Sequence, residues 1–157
     1  MALAQLHGMA TRMLDWTENP LLVLWFAVRT ESKNDENGVV WLFNPVDADY
    51  VDTTKVLSPL DIRKTMVVVP AHANPRVRVQ AGRFTVHLFQ EIRNRFSPLE
   101  KLKSYKPRLK KIEIVSSAFS QIRCDLDRCG INSGSMFPDI GGLAAHVEWQ
   151  HTKLQDE

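Results

Sequence analysis

The chain has 157 residues, enough for one domain with a sizeable core. Its hydrophobic content is 44% and its charged content 24%, which excludes disorder as the dominant state. No apolar run approaches the roughly 18 residues of a membrane span, and the first residues do not have the pattern of a signal peptide, so we expect a cytoplasmic protein with no membrane partner.

The net charge is +2, but it is unevenly distributed. Residues 61–120 carry 13 Lys and Arg against 4 Asp and Glu, whereas the parts on both sides are acidic. This pattern predicts either an anionic ligand for the middle of the chain or complementarity between its parts.

The first informative feature is a polar segment directly before an apolar run. Unpaired polar groups in apolar surroundings cost about 1–3 kcal/mol each, so the segment should line a pocket or form a satisfied network. Its polar side chains are Gln5, His7, Thr11, Arg12, Asp15 and Thr17. Arg12 and Asp15 can pair if this turn is helical, and Arg12 can hold a phosphate or carboxylate with two hydrogen bonds. The candidate catalytic residues are His7, Arg12 and Asp15; the alternative is a structural network at the start of the next helix.

That next helix is predicted over residues 20–28. Asn19 or Thr17 can cap it, and Pro20 suits its first position. Because the run from Leu21 to Val28 is apolar on every side, the helix should be central and fully covered.

Short apolar runs predict the strands that follow. They span residues 39–43, 66–69, 84–89 and 112–115. A short helix is possible after Ser58, where Ser can cap and the next proline can begin a helix.

Candidate ligand-binding residues precede the third strand: Arg76, Gln80 and Gly82. The Gln80 amide can both donate and accept, which suits an amide or a base edge. Gly82 suggests close backbone approach or a positive φ at the lip of a site. The alternative is a bulge that opens the strand.

A basic segment follows, and it could contact a nucleic-acid backbone, with Phe96 and Tyr105 available for stacking. Its cations are Arg93, Arg95, Lys101, Lys103, Lys106, Arg108, Lys110 and Lys111. The alternative is a solvated surface that balances the acidic ends of the chain.

Two helices are predicted at the C-terminal end. The first begins at Ser116 or Ser117 and runs to about Cys129, with Gly130 as its left-handed terminal residue. The second runs from Pro138 to about His151. It should bury the apolar set Ile140, Leu143, Ala144 and Val147, with Trp149 as a further candidate.

The expected fold class is therefore α+β. We expect a single mixed domain over residues 1–157 with a central small sheet, one buried apolar helix and two C-terminal helices. Cys124 and Cys129 point in different directions on a helix, so they should be free thiols.

Several catalytic motifs do not occur in the sequence. There is no Gly-x-x-x-x-Gly-Lys-Ser/Thr loop, no His-Glu-x-x-His, no Gly-x-Ser-x-Gly and no Gly-x-Gly-x-x-Gly. P-loop nucleotide hydrolysis, zinc proteolysis and serine hydrolysis therefore lack support, and no metal site is predicted.

The polar segment resembles the signature of the FRG domain, a bacterial family. Residues 5–17 match its Gln-His-His/Tyr-Gly-x-Pro-Thr-Arg-Leu-Leu-Asp-Trp-Thr pattern, with Leu6 and Ala10 as departures. Later segments that resemble the family's following elements are Val39–Pro45, Arg76–Thr85 and Met136–Ala144. The family's aromatic-Arg-Gly motif is not present upstream, so the resemblance implies a shortened domain with an exposed edge or apolar face. Self-association or a protein partner would cover that face.

Members of this family occur in mobile elements and phage defence, so the resemblance implies a role in bacterial conflict. Our first hypothesis is that residues 5–17 and 76–82 form one pocket for an anionic, nucleotide-like ligand. The resemblance also suggests NAD as a cofactor for ADP-ribosyl transfer, which leaves open whether the chain is an enzyme. The alternative is a non-catalytic module that binds a protein partner or nucleic acid through its basic segment.

Overall fold

The computed structural model describes residues 5, 9–32, 34–52, 58, 62–70, 78–90 and 94–152. They form helices and small sheets, which confirms the predicted α+β class. The strands are β1 (Met13–Thr17), β2 (Gly38–Phe43), β3 (Met66–Val68), β4 (Gly82–Val86), β5 (Phe89–Gln90), β6 (Arg95–Phe96) and β7 (Leu109–Ile114). The α-helices are α1 (Pro20–Val28), α2 (Phe119–Arg128), α3 (Ser133–Met136) and α4 (Ile140–Thr152). The short helix expected after Ser58 falls on residues 59–61, outside the described residues.

The chain divides into two compact units, each assembled from three stretches of sequence. The first unit comprises residues 1–16, 42–74 and 82–110, and the second comprises residues 17–41, 75–81 and 111–157. The strands form one sheet of order β1–β4–β3 and the two-stranded pairs β2–β7 and β5–β6. Whether the two units behave as one domain stays a prediction.

The first unit is built on the antiparallel pair β3–β4. Val67 lies opposite Thr85 in this pair, and both side chains are buried. The Trp16 indole donates from Nε1 to Thr85 Oγ1 at 3.1 Å, which ties the end of β1 to β4.

An ion pair between Asp49 and Arg108 stabilises the same unit. Arg108 Nη1 and Nη2 donate to the two carboxylate oxygens of Asp49, and the Nη2–Oδ1 distance is 3.2 Å. The Val46 N–H adds a 2.8 Å hydrogen bond to Asp49 Oδ2. The guanidinium also lies over the Phe43 and Tyr105 rings, at 5.8 and 5.1 Å from their centroids. The Arg108 hydrogen bonds lower the pKa of Asp49 despite the burial that opposes this shift.

Helix α1 forms the centre of the second unit and has the predicted bounds. Asn19 caps it, since Asn19 Oδ1 accepts from the Leu21 N–H at 3.0 Å, and Pro20 takes the first position. The buried cluster around it comprises Leu22, Trp25, Val28, Phe119, Leu126 and Met136. The prediction that α1 is covered all round is wrong, because Leu21 and Phe26 are exposed.

Helix α2 ends as predicted but begins differently. Gly130 has a φ of +77° and terminates the helix in the left-handed conformation. A 3₁₀ turn over Ser116–Ala118 precedes Phe119, so neither predicted serine caps the α-helix with its side chain. Cys124 and Cys129 are thiols and do not form a disulfide.

Helix α4 buries a different face from the predicted one. Ile140, Leu143 and Val147 are 87%, 58% and 44% exposed, and Ala144 is exposed as well. The inward face instead carries Gly142, His146 and Trp149, at the i, i+4, i+7 spacing of one side of a helix. Gly142 permits close packing, because a Cβ at this position would lie 2.6 Å from the Phe137 Cβ and overlap the Phe137 carbonyl. Steric fit, rather than hydrophobicity, thus determines which side of α4 faces inward.

Candidate ligand pocket

The second unit contains a pocket of about 500 Å³ beside the inward face of α4. Its described lining includes the aromatic residues Trp25, Phe137 and Trp149, together with Arg29 and Arg123. The volume falls within the range of about 300–1,000 Å³ that is typical of small-molecule sites. Apolar walls with a few polar groups are also typical of such sites.

Two buried nitrogen atoms of the pocket residues have no hydrogen-bond partner in the part of the chain that the structure describes. They are His146 Nδ1 and Trp149 Nε1. An indole nitrogen can only donate, so Trp149 needs an acceptor that these protein atoms do not supply. A buried donor without a partner costs about 1–3 kcal/mol, and native structures contain few such groups. Both nitrogen atoms belong to residues that line the pocket.

Asp127 lies on the other side of the His146 ring. His146 Nε2 is 3.7 Å from Asp127 Oδ1, which also accepts a 2.8 Å hydrogen bond from Asn132 Nδ2. The His146 ring stacks on Trp149 with a centroid distance of 6.3 Å and an interplanar angle of 19°. A proton on Nε2 facing this carboxylate leaves Nδ1 as an acceptor, and a protonated ring makes Nδ1 a donor.

The two pocket arginines have different surroundings. Arg123 is buried, and its Nη1 donates to the Val28 carbonyl at 3.0 Å, at the end of α1. Arg29 is exposed, and its guanidinium lies over the Trp25 and Phe26 rings, at 5.9 and 5.4 Å from their centroids. Arg123 is thus engaged in holding the helix end, whereas Arg29 is an exposed cation among the residues that line the pocket.

Residues Gln5, Thr11, Arg12, Asp15 and Gly82 belong to the first unit. The Thr11 hydroxyl donates to Gln5 Oε1. The backbone from Met13 to Thr17 is a strand, so the helical turn that would pair Arg12 with Asp15 does not form. Of the remaining site residues, His7 and Arg76 lie outside the described residues.

Gln80 belongs to the second unit, where it meets the end of the polar segment. Thr17 Oγ1 donates to the Gln80 carbonyl at 2.7 Å. The Gln80 side chain donates from Nε2 to the Met136 carbonyl at 3.2 Å, and so holds the end of α3 beside Phe137. The positive φ expected at Gly82 occurs at Ala81 instead, with a φ of +44°. Whether these residues contact a ligand stays a prediction.

The basic segment is only partly available to a ligand. Arg108 is paired with Asp49, Lys111 pairs with Glu113 at 2.6 Å, and Tyr105 is buried, so its ring cannot stack on a base. The exposed cations among the described residues of the segment are Arg95, Lys101, Lys103, Lys106, Lys110 and Lys111. Arg93 lies outside the described residues.

Across the described ranges, no group of three or more His, Cys, Asp or Glu side chains is arranged to hold a metal ion. Nor does any helix in these ranges combine the length and apolar character required to cross a membrane.

Comparison with known proteins gives one match. The FRG domain model matches residues 1–36, which include the Gln5–Thr17 signature and α1. This confirms the predicted resemblance for about a quarter of the chain. No curated protein and no solved structure matches the sequence. The later segments that resemble the family, and helices α2 to α4, lie outside the match.

The residues that line the pocket were not among the predicted site residues; they include Trp25, Arg29, Arg123, Asp127, His146 and Trp149. One local signal was present. His146 and Trp149 share a helix face with two small residues, Gly142 and Ala145, in a helix whose opposite face is aliphatic.

Proposed function

We propose that this FRG-like chain binds an anionic, nucleotide-like ligand in the pocket of the second unit. The observation that carries the proposal is the buried donor Trp149 Nε1, for which the described residues offer no acceptor, in a residue that lines the same pocket as Arg29. A ligand oxygen would satisfy this donor, a phosphate would neutralise Arg29, and a planar base would pack against the aromatic walls.

The carboxylates of the pocket do not argue against an anionic ligand. Asp127 accepts from Asn132 and lies beside His146. Asp139 accepts a 2.8 Å hydrogen bond from the Gly142 N–H. Both negative charges are therefore partly compensated by groups of the protein itself, whereas the Arg29 cation is held by aromatic faces.

The biological setting follows from the resemblance alone. As part of the proposal, the protein acts in the bacterial cytoplasm, in the conflict between the cell and a mobile element or phage. The conjectured ligand is NAD or ADP-ribose. His146 with Asp127 beside it could serve as a general base on such a ligand. Chromatography would detect any conversion of NAD by the protein. Conversion that is lost in His146→Gln would show that the chain is an enzyme.

Calorimetric titration with NAD, ADP-ribose and ATP tests the binding claim. We expect saturable binding of at least one ligand, weakened roughly 10- to 150-fold in Arg29→Gln because a charge-assisted hydrogen bond contributes about 1.5–3 kcal/mol. Arg128→Gln is the matched control, since Arg128 is exposed, pairs with Asp125 and does not line the pocket. The proposal fails if the folded protein binds none of the three ligands, or if both substitutions weaken binding equally.

A non-catalytic interaction module remains the second candidate, and the exposed face of α4 favours it. Ile140, Leu143 and Val147 form an apolar stripe on the outer side of this helix. Self-association through the stripe would give a sedimentation coefficient that rises with protein concentration and returns to the monomer value in Leu143→Asp. A concentration-independent monomer would exclude self-association.

A further inference from the structure

A groove in the first unit carries a different set of side chains from the pocket. It has a volume of about 410 Å³ and lies along the β5–β6 hairpin and the turn that follows it. Three cations line it, Arg95, Lys101 and Lys103, and none of its described lining residues is acidic. A polyanion is the complementary ligand class.

An aromatic ring lies among these cations. Phe96 is 43% exposed, yet its ring packs edge-to-face on Phe89 with a centroid distance of 5.1 Å. The two residues are directly paired across the hairpin, which fixes the ring on a backbone ladder. A rigid, exposed aromatic face beside cations is the arrangement with which proteins stack unpaired bases.

The groove also contains organised polar atoms. The Gln90 amide donates from Nε2 to Ser97 Oγ, and both residues line the groove. The Ser97 carbonyl lies 3.4 Å from His87 Nδ1, so this side of the groove contacts the residue that follows β4. The Gln90 carboxamide oxygen can accept from a base edge while its nitrogen stays bonded to Ser97.

We infer that this groove binds single-stranded nucleic acid, with the three cations on backbone phosphates and a base stacked on Phe96. A duplex would not present an unstacked base to one exposed ring, so the single-stranded form is the one that fits. Of the described cations in the basic segment, three line the groove. Arg108 is paired with Asp49, and Lys106 and Lys110 do not line the groove.

Fluorescence anisotropy with labelled oligo-dT and oligo-U over a salt series tests this inference. Three phosphate contacts predict that log K falls with log salt with a slope of about −2, since each contact to a single strand contributes about 0.7. Lys101→Gln should reduce the slope by about 0.7, and Lys110→Gln, which removes an equivalent charge outside the groove, should leave it unchanged.

The aromatic contact has its own signature. Phe96→Ala should weaken binding roughly 5- to 150-fold with the slope unchanged, because stacking does not release counterions. Phe96→Leu keeps an apolar side chain in the hairpin but removes the stacking face, so it should weaken binding as well. Circular dichroism of each variant shows whether the hairpin is retained.

Three results would overturn the inference. The first is that the folded protein binds neither oligonucleotide. The second is that Lys101→Gln and Lys110→Gln reduce the salt slope by the same amount. The third is polyglutamate competing as well as oligo-U, which would show a general polyanion surface. Arg29→Gln should leave oligonucleotide binding intact, so failure of the groove and failure of the pocket are distinguishable.

Discussion

Replacing Asp49 by Asn should lower the free energy of unfolding by about 2–3 kcal/mol. Removing one partner of a fully buried ion pair costs roughly 3–5 kcal/mol, whereas exposed pairs contribute about 0.2–1 kcal/mol. Asp49 is 5% exposed and the Arg108 side chain 21%, which places this pair between the two cases. Asn keeps the shape of Asp49 but leaves the Arg108 cation without its carboxylate.

Urea unfolding followed by circular dichroism at neutral pH measures this loss. Asp47→Asn is the matched control, because Asp47 is exposed in the same 3₁₀ turn and should change stability by less than about 0.5 kcal/mol. The double variant Asp49→Asn/Arg108→Gln should lose less stability than the sum of the two single losses, by about 1 kcal/mol or more, because the two side chains interact. If Asp49→Asn behaves like Asp47→Asn, the ion pair does not stabilise the first unit.

The pH dependence gives a second check on the same pair. The pKa of Asp49 is lowered in the folded protein, mainly by the Arg108 hydrogen bonds, so its ionised form stabilises the fold above the unfolded-state pKa of about 3.9. This contribution disappears as the pH falls through the folded-state pKa. The difference in the free energy of unfolding between wild type and Asp49→Asn should therefore decrease as the pH is lowered from about 5 to about 2.

Three further substitutions address the packing and the site. Gly142→Ala should destabilise by at least about 1–3 kcal/mol in thermal unfolding, since its Cβ would overlap the Phe137 carbonyl. Gln80→Leu should cost about 1 kcal/mol in urea unfolding, because it removes the hydrogen bond to the Met136 carbonyl. Burial lowers the pKa of His87, so the unfolded chain binds a proton more readily and stability should fall as the pH drops below about 6.5; His87→Gln should flatten this dependence in a pH series.

Clear results would contradict each of these. A Gly142→Ala variant with wild-type stability would show that α4 packs differently. A Gln80→Leu variant with wild-type stability but no ligand binding would assign Gln80 to ligand contact, as the sequence analysis predicts. If stability depends on pH between 5 and 7 in the same way in wild type and in His87→Gln, the account of His87 burial is contradicted.

Local signals explain which elements were predictable. The cap at Asn19 and the proline after it determine where α1 begins, and Gly130 determines where α2 ends. These features act over a few residues, so the sequence alone contains them. The run predicted as one strand over residues 84–89 is interrupted instead, since β4 ends at Val86 and β5 begins at Phe89.

Long-range contacts explain what the sequence did not reveal. The pocket joins Trp25 and Arg29 with His146 and Trp149, which are more than 110 positions away in the sequence. The inward face of α4 is determined by the room that Gly142 leaves against Phe137, which a hydrophobic pattern does not encode. The disagreement between pattern and structure occurs at the helix that lines the candidate pocket, and such disagreements are expected at functional or strained sites.

The most direct test of the central claim is the ¹⁵N-resolved indole spectrum during titration with NAD, ADP-ribose or ATP. The chain has four tryptophans, and Trp149→Phe identifies the signal of interest. We expect the Trp149 N–H to shift downfield and saturate with at least one ligand as it gains an acceptor. The Trp16 signal should stay constant, because its donor is already bonded to Thr85. A Trp149 signal that none of the three ligands moves would contradict the proposed pocket.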